Sequence, residues 1–151
     1  MQLTAALIHG FTSTMLVSGF DDPQPTPKCH YEWWDMATSN NALVGIAAPR
    51  GHAKSTAITH AYTLANLLFQ IKDFALIVSD TEGQAVMFLL DIKKELLENE
   101  NIINVFGIKR FVKDTASDII VEFNNGKRFR VIAKGSEQKL RGLKWRGKRP
   151  N

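Results

Sequence analysis

Residues 43–56 read Leu-Val-Gly-Ile-Ala-Ala-Pro-Arg-Gly-His-Ala-Lys-Ser-Thr, and this stretch decides the fold that the sequence predicts. Residues 43–48 are a short apolar run, long enough for one buried strand. Residues 49–54 form a loop. Residues 55–70 are apolar on nearly every side and contain no Gly or Pro, which favours a long buried helix. The order strand, loop, helix is the order in which phosphate-binding loops are built.

The loop approaches the phosphate-loop pattern G-x-x-x-x-G-K-S/T over residues 48–55. Lys54 and Ser55 match it, whereas Ala48 and Ala53 stand where the pattern has glycine. In such a loop the lysine reaches the β- and γ-phosphates of a nucleotide and the hydroxyl ligates Mg²⁺. Gly51 leaves the middle of the loop able to turn. The alternative is an ordinary strand–turn–helix connection with a surface lysine.

The other elements come from periodicity and turn signals. In chain order they are a short helix over residues 2–17, a proline-rich linker over residues 19–28, an amphipathic helix over residues 30–38, a buried strand Phe74–Ser79, and a helix from Thr81 to about Asn99 that opens with a capping box at Gln84. Two β-rich runs, residues 118–123 and 128–133, flank Asn124-Asn125-Gly126 and predict a hairpin. Strands that alternate with helices predict an α/β fold whose mainly parallel sheet has helices on both faces.

Composition excludes several classes of protein. Hydrophobic residues make up 44% and charged residues 23% of the 151 residues, which is ordinary for a globular domain. The single cysteine, Cys29, leaves no disulfide framework and no cysteine-rich metal site. No apolar run approaches the roughly 20 residues that span a bilayer, and the first ten residues lack the Lys or Arg of a signal peptide. We therefore expect a cytoplasmic protein with no membrane partner.

The charge is unevenly distributed along the chain. Residues 1–126 hold 9 Lys and Arg against 14 Asp and Glu, whereas residues 127–151 hold 10 Lys and Arg against one acid, Glu137. Such a basic segment indicates a polyanion such as a nucleotide or nucleic acid. The alternative is a solvated or disordered tail.

The loop and several other segments together resemble the large subunit of bacteriophage terminases. That family tolerates a phosphate loop in which an Arg follows the strand and glycine is not obligatory, and residues 48–56 are similar to that form. The further similar segments are His30-Tyr31-Glu32-Trp33-Trp34, Ser79-Asp80-Thr81 with Gln84-Ala85, Leu96-Leu97-Glu98-Asn99 running to Phe106-Gly107, and Gly135 with Lys139-Leu140-Arg141-Gly142 and Arg146-Gly147-Lys148-Arg149-Pro150. They cover about residues 29–151 in a consistent order.

The resemblance implies a P-loop NTPase fold of the RecA-like (ASCE) type that uses ATP and Mg²⁺. It implies a motor that hydrolyses ATP to move double-stranded DNA into a procapsid in the infected host cell, with the procapsid portal and the small terminase subunit as partners. The nucleotide-binding residues would be Pro49, Arg50, Gly51, His52, Ala53, Lys54, Ser55 and Thr56. Ser55 would also be the metal ligand. Arg50 would contact the γ-phosphate, and Arg141, ahead of Arg146, would act as an arginine finger or contact DNA.

The sequence also departs from the family. In the family, the Arg-Pro that matches Arg149-Pro150 leads into the Walker B strand, which ends in two acids, and this chain reaches Asn151. We therefore expect residues 1–28 to be a helix and linker and residues 29–151 to be the first portion of the ATPase domain, without the Walker B strand or the nuclease domain. Such a portion would be incomplete at its C-terminus and inactive alone, and a second chain could complete it.

Two other functions stay open from the residues. Asp80 ends the apolar strand Phe74–Ser79, so the chain could be a small, complete, kinase-like P-loop enzyme with Asp80 as its Mg²⁺ acid; the alternative role of Asp80 is helix capping. The chain could also be a non-catalytic fragment that binds DNA or a partner. Tyr31, Trp33 and Trp34 either border an adenine or pack a helix.

Overall fold

The structure, a computed structural model, describes residues 1–41 and 43–151, and the chain divides into two units, Met1–Asn66 and Leu67–Asn151. The boundary falls within helix α3, Thr63–Leu68. The units are taken in turn. The division at residues 28 and 29 that the proline-rich linker indicates stays a prediction.

The first unit begins with two helices. Helix α1, Ala5–Phe11, starts at Thr4, whose hydroxyl accepts a hydrogen bond from the Leu7 N–H at 3.2 Å. It continues through a π-helical segment, Thr12–Leu16, and a 3₁₀ turn, Val17–Gly19. Helix α2, Lys28–Thr38, packs against α1, and the His9 and Tyr31 rings lie 4.8 Å apart. The helices predicted over residues 2–17 and 30–38 are therefore confirmed, with slightly different ends.

The strand predicted over residues 43–48 is wrong. These residues form no regular element, and the side chain of Leu43 is 93% exposed. A short apolar run becomes a strand only when a neighbouring strand satisfies its backbone N–H and C=O groups. Residues 43–48 belong to none of the paired strands of the described residues.

The helix predicted over residues 55–70 is confirmed in position but is not a uniform α-helix. Lys54 and Ser55 are helical, the π-helical segment Thr56–Tyr62 follows, and α3 continues to Leu68. The Thr63 hydroxyl donates to the Ile58 carbonyl at 3.3 Å, a spacing of five residues that suits a π-helical turn.

The second unit is built on a four-stranded sheet in the order β1-β4-β3-β2. The strands are β1 Phe74–Ser79, β2 Ile108–Asp114, β3 Asp118–Phe123 and β4 Arg128–Gly135. Only β1 and β4 pair in parallel, whereas β2–β3 and β3–β4 are antiparallel. The α/β class is confirmed, but the mainly parallel sheet is wrong, because the hairpin supplies most of the sheet.

Two helices accompany this sheet. Helix α4, Glu82–Glu98, packs against β1 and β4 with Ala85, Leu89, Ile92 and Leu96 buried. Helix α5, Glu100–Phe106, packs against β2 and ends at Gly107, whose φ is +71°. Helix cover on both faces of the sheet stays a prediction.

The β3–β4 hairpin lies where the sequence predicted it. Gly126 has a φ of +82° and donates its N–H to the Phe123 carbonyl at 3.0 Å, so the turn needs a residue that accepts a left-handed conformation. Ile119, Val121, Phe123, Phe129, Val131 and Ala133 alternate along the two strands and are buried. Asp118, Glu122, Arg128 and Arg130 occupy the intervening positions.

Residues 136–151 return to the outer edge of β1. Trp145 and Lys148 form a β-bridge, and the Asn151 N–H donates to the Phe74 carbonyl at 2.8 Å. The Trp145 ring meets the Phe74 ring edge-on at 6.0 Å. The basic segment is therefore anchored near the start of β1 at Trp145, Lys148 and Asn151, whereas most of its cationic side chains are exposed to solvent. In the described part of the chain, no helix has the length and apolarity needed to cross a bilayer.

Candidate functional site

The loop before the long helix adopts two left-handed residues in close succession. Gly51 has a φ of +86° and Ala53 a φ of +48°. The helix starts at Lys54, and the Ala57 N–H makes an early helical hydrogen bond to the Ala53 carbonyl at 3.0 Å. The N–H groups of the first turn have no helical acceptor. A left-handed residue followed by right-handed ones turns successive N–H groups toward one point, a geometry that suits anions.

Helix α2 holds this loop in place. The His30 Nε2 donates to the His52 carbonyl at 2.8 Å, and the buried Trp34 indole N–H donates to the Ala57 carbonyl at 2.9 Å. Trp34 is fully buried, so its role is packing rather than contact with an adenine. The sequence left both roles open for this aromatic segment, and the burial of Trp34 and its indole hydrogen bond decide it for that residue.

The charged side chains of the loop are accessible. Pro49, Arg50, Gly51, His52, Ala53, Lys54 and Ser55 are exposed, and Thr56 is half-buried. Within residues 1–41 and 43–151, neither Arg50 nor Lys54 takes part in an ion pair. Two free cations beside a helix N-terminus give the loop an uncompensated positive potential, which suits it to bind phosphate.

Asp80 lies in the second unit, between β1 and α4. Thr81 caps the helix, because its hydroxyl accepts from the Gln84 N–H at 3.3 Å, so Asp80 is not the capping residue. The Gln84 side chain accepts from the Ser79 hydroxyl at 2.7 Å, so the reciprocal half of the predicted capping box is not formed. Asp80 itself is exposed, and its carbonyl accepts from the Ser136 hydroxyl at 3.1 Å.

The two arginines proposed as fingers belong to the C-terminal segment of the second unit. Arg141 is exposed and precedes Gly142, whose φ is +82°. Arg146 is also exposed, has a φ of +51°, and its guanidinium lies 5.1 Å from the centroid of the Trp145 ring. Arg146 is therefore held against the sheet edge by a cation–π contact.

The ion-pair cluster on β3 and β4 was not predicted from the sequence. The buried carboxylate of Glu122 forms ion pairs with Arg128 at 2.7 Å and with Arg110 and Lys109 at 3.4 Å each. The hydrogen bond from Arg128, followed by that from Arg110, lowers the pKa of Glu122 to about 2. Burial raises the pKa of Asp118, but hydrogen bonds from Arg130 and Lys113 outweigh it and hold that pKa below 3.8. Opposite charges at facing strand positions were the available signal.

No group of three His, Cys, Asp or Glu side chains that could hold a metal ion occurs in the described residues. Comparison of the chain with known protein families, curated proteins and solved structures found no match.

Proposed function

We propose that this chain is the ATP-binding portion of a viral DNA-packaging motor of the terminase large-subunit kind. The parent protein would hydrolyse ATP to move double-stranded DNA into a procapsid. The observation that carries the proposal is the turn through Gly51 and Ala53 into a helix that starts at Lys54. The first-turn N–H groups have no helical acceptor, and two exposed cations that are unpaired within the described residues, Arg50 and Lys54, lie directly before and after this turn in the chain.

The residues of the loop fit a nucleotide. Lys54 would neutralise the β- and γ-phosphates, and Arg50 would stabilise the charge that develops on the γ-phosphate. Ser55 would supply one oxygen to Mg²⁺. Mg²⁺ prefers few protein ligands together with phosphate oxygens. One hydroxyl would therefore hold the metal only when a bound nucleotide supplies further oxygens. A metal held there by Ser55 would withdraw charge from the phosphates.

The proposed fold is a P-loop NTPase in which the mixed sheet of the second unit is one part. The outer edge of β1 is open to a further strand, because β1 pairs with β4 alone among the described strands. In a parallel ladder alternate residues bond to opposite neighbours, so Leu76 and Val78 present their N–H and C=O groups to the outer edge. We propose that a segment ending in acidic residues, from a second chain or the parent protein, pairs with this edge.

DNA is the proposed polymer substrate of the parent motor. The support is the concentration of cations in residues 127–151, which hold 10 Lys and Arg against one acid. The exposed members of this set that lie on the C-terminal segment are Lys139, Arg141, Lys144, Arg146, Lys148 and Arg149. Exposed cations at this density attract a phosphate backbone without reading its sequence. The portal and the small subunit stay proposals from the resemblance alone.

Nucleotide-dependent melting tests the proposal. Mg-ATP should raise the melting temperature of the wild-type chain, since a ligand that binds only the folded state stabilises it. Lys54→Ala should abolish the shift. Lys28→Ala is the matched control, because Lys28 is an exposed lysine of the same unit with only a 3.9 Å ion pair to Glu32.

The outcomes separate the alternatives. A shift that survives Lys54→Ala contradicts the phosphate-loop assignment. A Mg²⁺-dependent shift that is lost in both Lys54→Ala and Asp80→Asn would favour a kinase-like enzyme in which Asp80 binds the metal. A wild-type chain with no shift at saturating Mg-ATP would be a non-catalytic binding fragment.

A further inference from the structure

A half-open cavity of about 380 Å³ lies in the second unit, on the opposite end of β1 from Asp80. Three segments that are distant in sequence line it: the stretch between α3 and β1, the β3–β4 turn, and the C-terminal segment. Its volume is within the range of small-molecule sites and is far too small to admit a nucleic-acid duplex.

The charged residues of the lining are nearly all cationic. They are Lys72, Lys127, Arg128, Arg146 and Lys148, against one acid, Asp73. Lys148 pairs with Asp73 at 2.9 Å, and Arg128 pairs with Glu122 at 2.7 Å. Within the described residues the other three cations have no ion pair. Like charges that line one concave surface repel one another unless a bound anion neutralises them.

The cavity wall is organised by contacts that do not involve these three cations. The Asn151 side chain accepts from the Phe74 N–H at 3.1 Å and donates to Asp73 at 3.3 Å, which fixes the C-terminal segment at the start of β1. Asn125 donates to Gln70 at 3.3 Å and joins the hairpin turn to the stretch before β1. The cations are thus carried by backbone that is already positioned, which lowers the entropy lost on binding.

Arg146 carries an additional sign of a binding role. It is one of three residues other than glycine with positive φ among those described, at +51°, and an arginine gains nothing from that conformation. Strained backbone of this kind concentrates at ligand sites, where the surrounding structure holds it. Here the strain coincides with a guanidinium stacked on Trp145 at 5.1 Å and lining the cavity.

We infer that this cavity binds a small polyphosphate anion, such as pyrophosphate or the phosphate chain of a nucleotide, at a site separate from the Lys54 loop. Lys127, Arg146 and Lys72 would contact the phosphate oxygens, and Gln70 would supply a further polar contact. Multiple cations match an anion with several charged oxygens better than one with a single charge. The inference does not depend on the proposed ATP-binding function.

Calorimetric titration with pyrophosphate at about 0.15 M salt tests the inference, because exposed charges outside a formed site are largely screened there. The test variant is Lys127→Gln with Arg146→Gln. The matched control is Lys28→Gln with Lys94→Gln, which removes the same charge from exposed positions outside both the cavity lining and the basic C-terminal segment. We expect the test variant to raise the dissociation constant by about a hundredfold, since each of the two charged hydrogen bonds lost accounts for a factor of roughly ten. The control should leave it nearly unchanged.

Three results would overturn the inference. Equal weakening in the test and control variants would show general charge attraction. Loss of all pyrophosphate binding in Lys54→Ala would assign the anion to the loop. Binding of duplex DNA without binding of pyrophosphate would make these residues part of a backbone-contacting surface. Melting temperatures of the variants verify folding, and Lys127→Gln alone is a second variant, because Lys127 is exposed and makes no side-chain hydrogen bond or ion pair within the described residues.

Discussion

Ala53 is the residue where the loop departs most from a glycine-containing phosphate loop, and its conformation explains what the departure costs. Its φ of +48° is one that glycine adopts freely and that costs other residues about 1 kcal/mol or somewhat more. The loop therefore keeps the shape associated with glycine although the sequence has alanine. The methyl group is exposed, so it can be accommodated without a clash in the core.

Substitution of Ala53 tests whether its positive φ lowers the stability of the fold. Ala53→Gly should leave the free energy of unfolding unchanged or raise it by up to about 1 kcal/mol, because relief of strain competes with the greater chain entropy of glycine. Ala53→Val should lower it by about 1–2 kcal/mol, since a β-branched residue tolerates positive φ poorly. Urea unfolding measures both. Ala47→Val, at an exposed loop position without positive φ, is the control; an equal loss there would remove backbone strain as the cause.

The helix start at Lys54 could be predicted from the sequence, but the contacts that hold the loop could not. Lys54 and Ser55 begin a helix as the pattern required, and Arg50 is accessible. The hydrogen bonds from His30 and Trp34 that hold the loop join residues 22 and 23 positions apart. No local pattern encodes such a pairing, because it depends on how α2 packs against the π-helical segment.

At the scale of elements, strong local signals succeeded and weak ones failed. The Asn-Gly turn and the apolar face of α4 predicted the hairpin and the helix closely. Strand β2 was missed because its pairing with β3 shifts register twice and most of its side chains are exposed, which destroys strict alternation. Helix α5 was not predicted, because the single residue Asn99 both ends α4 and caps α5, which leaves no turn segment between the two helices.

The β3–β4 ion pairs predict how stability depends on pH. Glu122 has an ordinary pKa of 4.5 and a folded-state pKa of about 2, so its carboxylate stabilises the fold above about pH 4.5. That contribution is lost as the pH falls from 4.5 toward 2. Asp118, whose pKa is also lowered, acts in the same direction. We therefore expect the free energy of unfolding to decrease across this acidic interval.

Urea unfolding at a series of pH values measures the effect. Glu122→Gln should be less stable than the wild type at neutral pH and should show a shallower decrease in acid, because the carboxylate that titrates is gone. Glu98→Gln, at an exposed carboxyl on α4, should keep the wild-type slope. A Glu122→Gln variant with the wild-type slope would mean that other carboxyls cause the acid dependence.

For the whole molecule, the outer edge of β1 is the feature that decides whether a further strand can be added to the sheet. Beyond the Asn151 contact with Phe74, no described backbone group pairs with the outer edge of β1, and Val78 is 44% exposed. An exposed edge of this kind is a template for another strand. The family resemblance predicted a portion that a second chain could complete, but it could not predict that residues 145–151 would fold back onto Phe74, the first residue of β1.

ATP turnover provides the sharpest test at this scale, and we expect the chain alone to show none at the rate of ordinary P-loop enzymes. Phosphoryl transfer needs a neutralised phosphate, a held metal and an aligned nucleophile. Under the proposed function, Lys54, Arg50 and the loop amides would provide the first, and Ser55 would provide one metal ligand. Nothing in the 151 residues matches an apolar strand ending in paired acids at the place where the terminase family has one, so the attacking water would have no carboxylate to orient it. Its absence should cost roughly 10²–10⁴ in rate.

Steady-state phosphate release under saturating Mg-ATP measures this turnover, alongside the melting shift that reports binding. The expected result is binding that depends on Lys54 without appreciable release. The contrary result is release at an ordinary enzymatic rate that is lost in Lys54→Ala and Asp80→Asn but retained in Asp91→Asn, a control at an exposed acid on α4. It would make Asp80 the metal-binding acid of a complete enzyme. An added strand at the edge of β1 would then be unnecessary for catalysis, because the chain would already hold every group that the reaction requires.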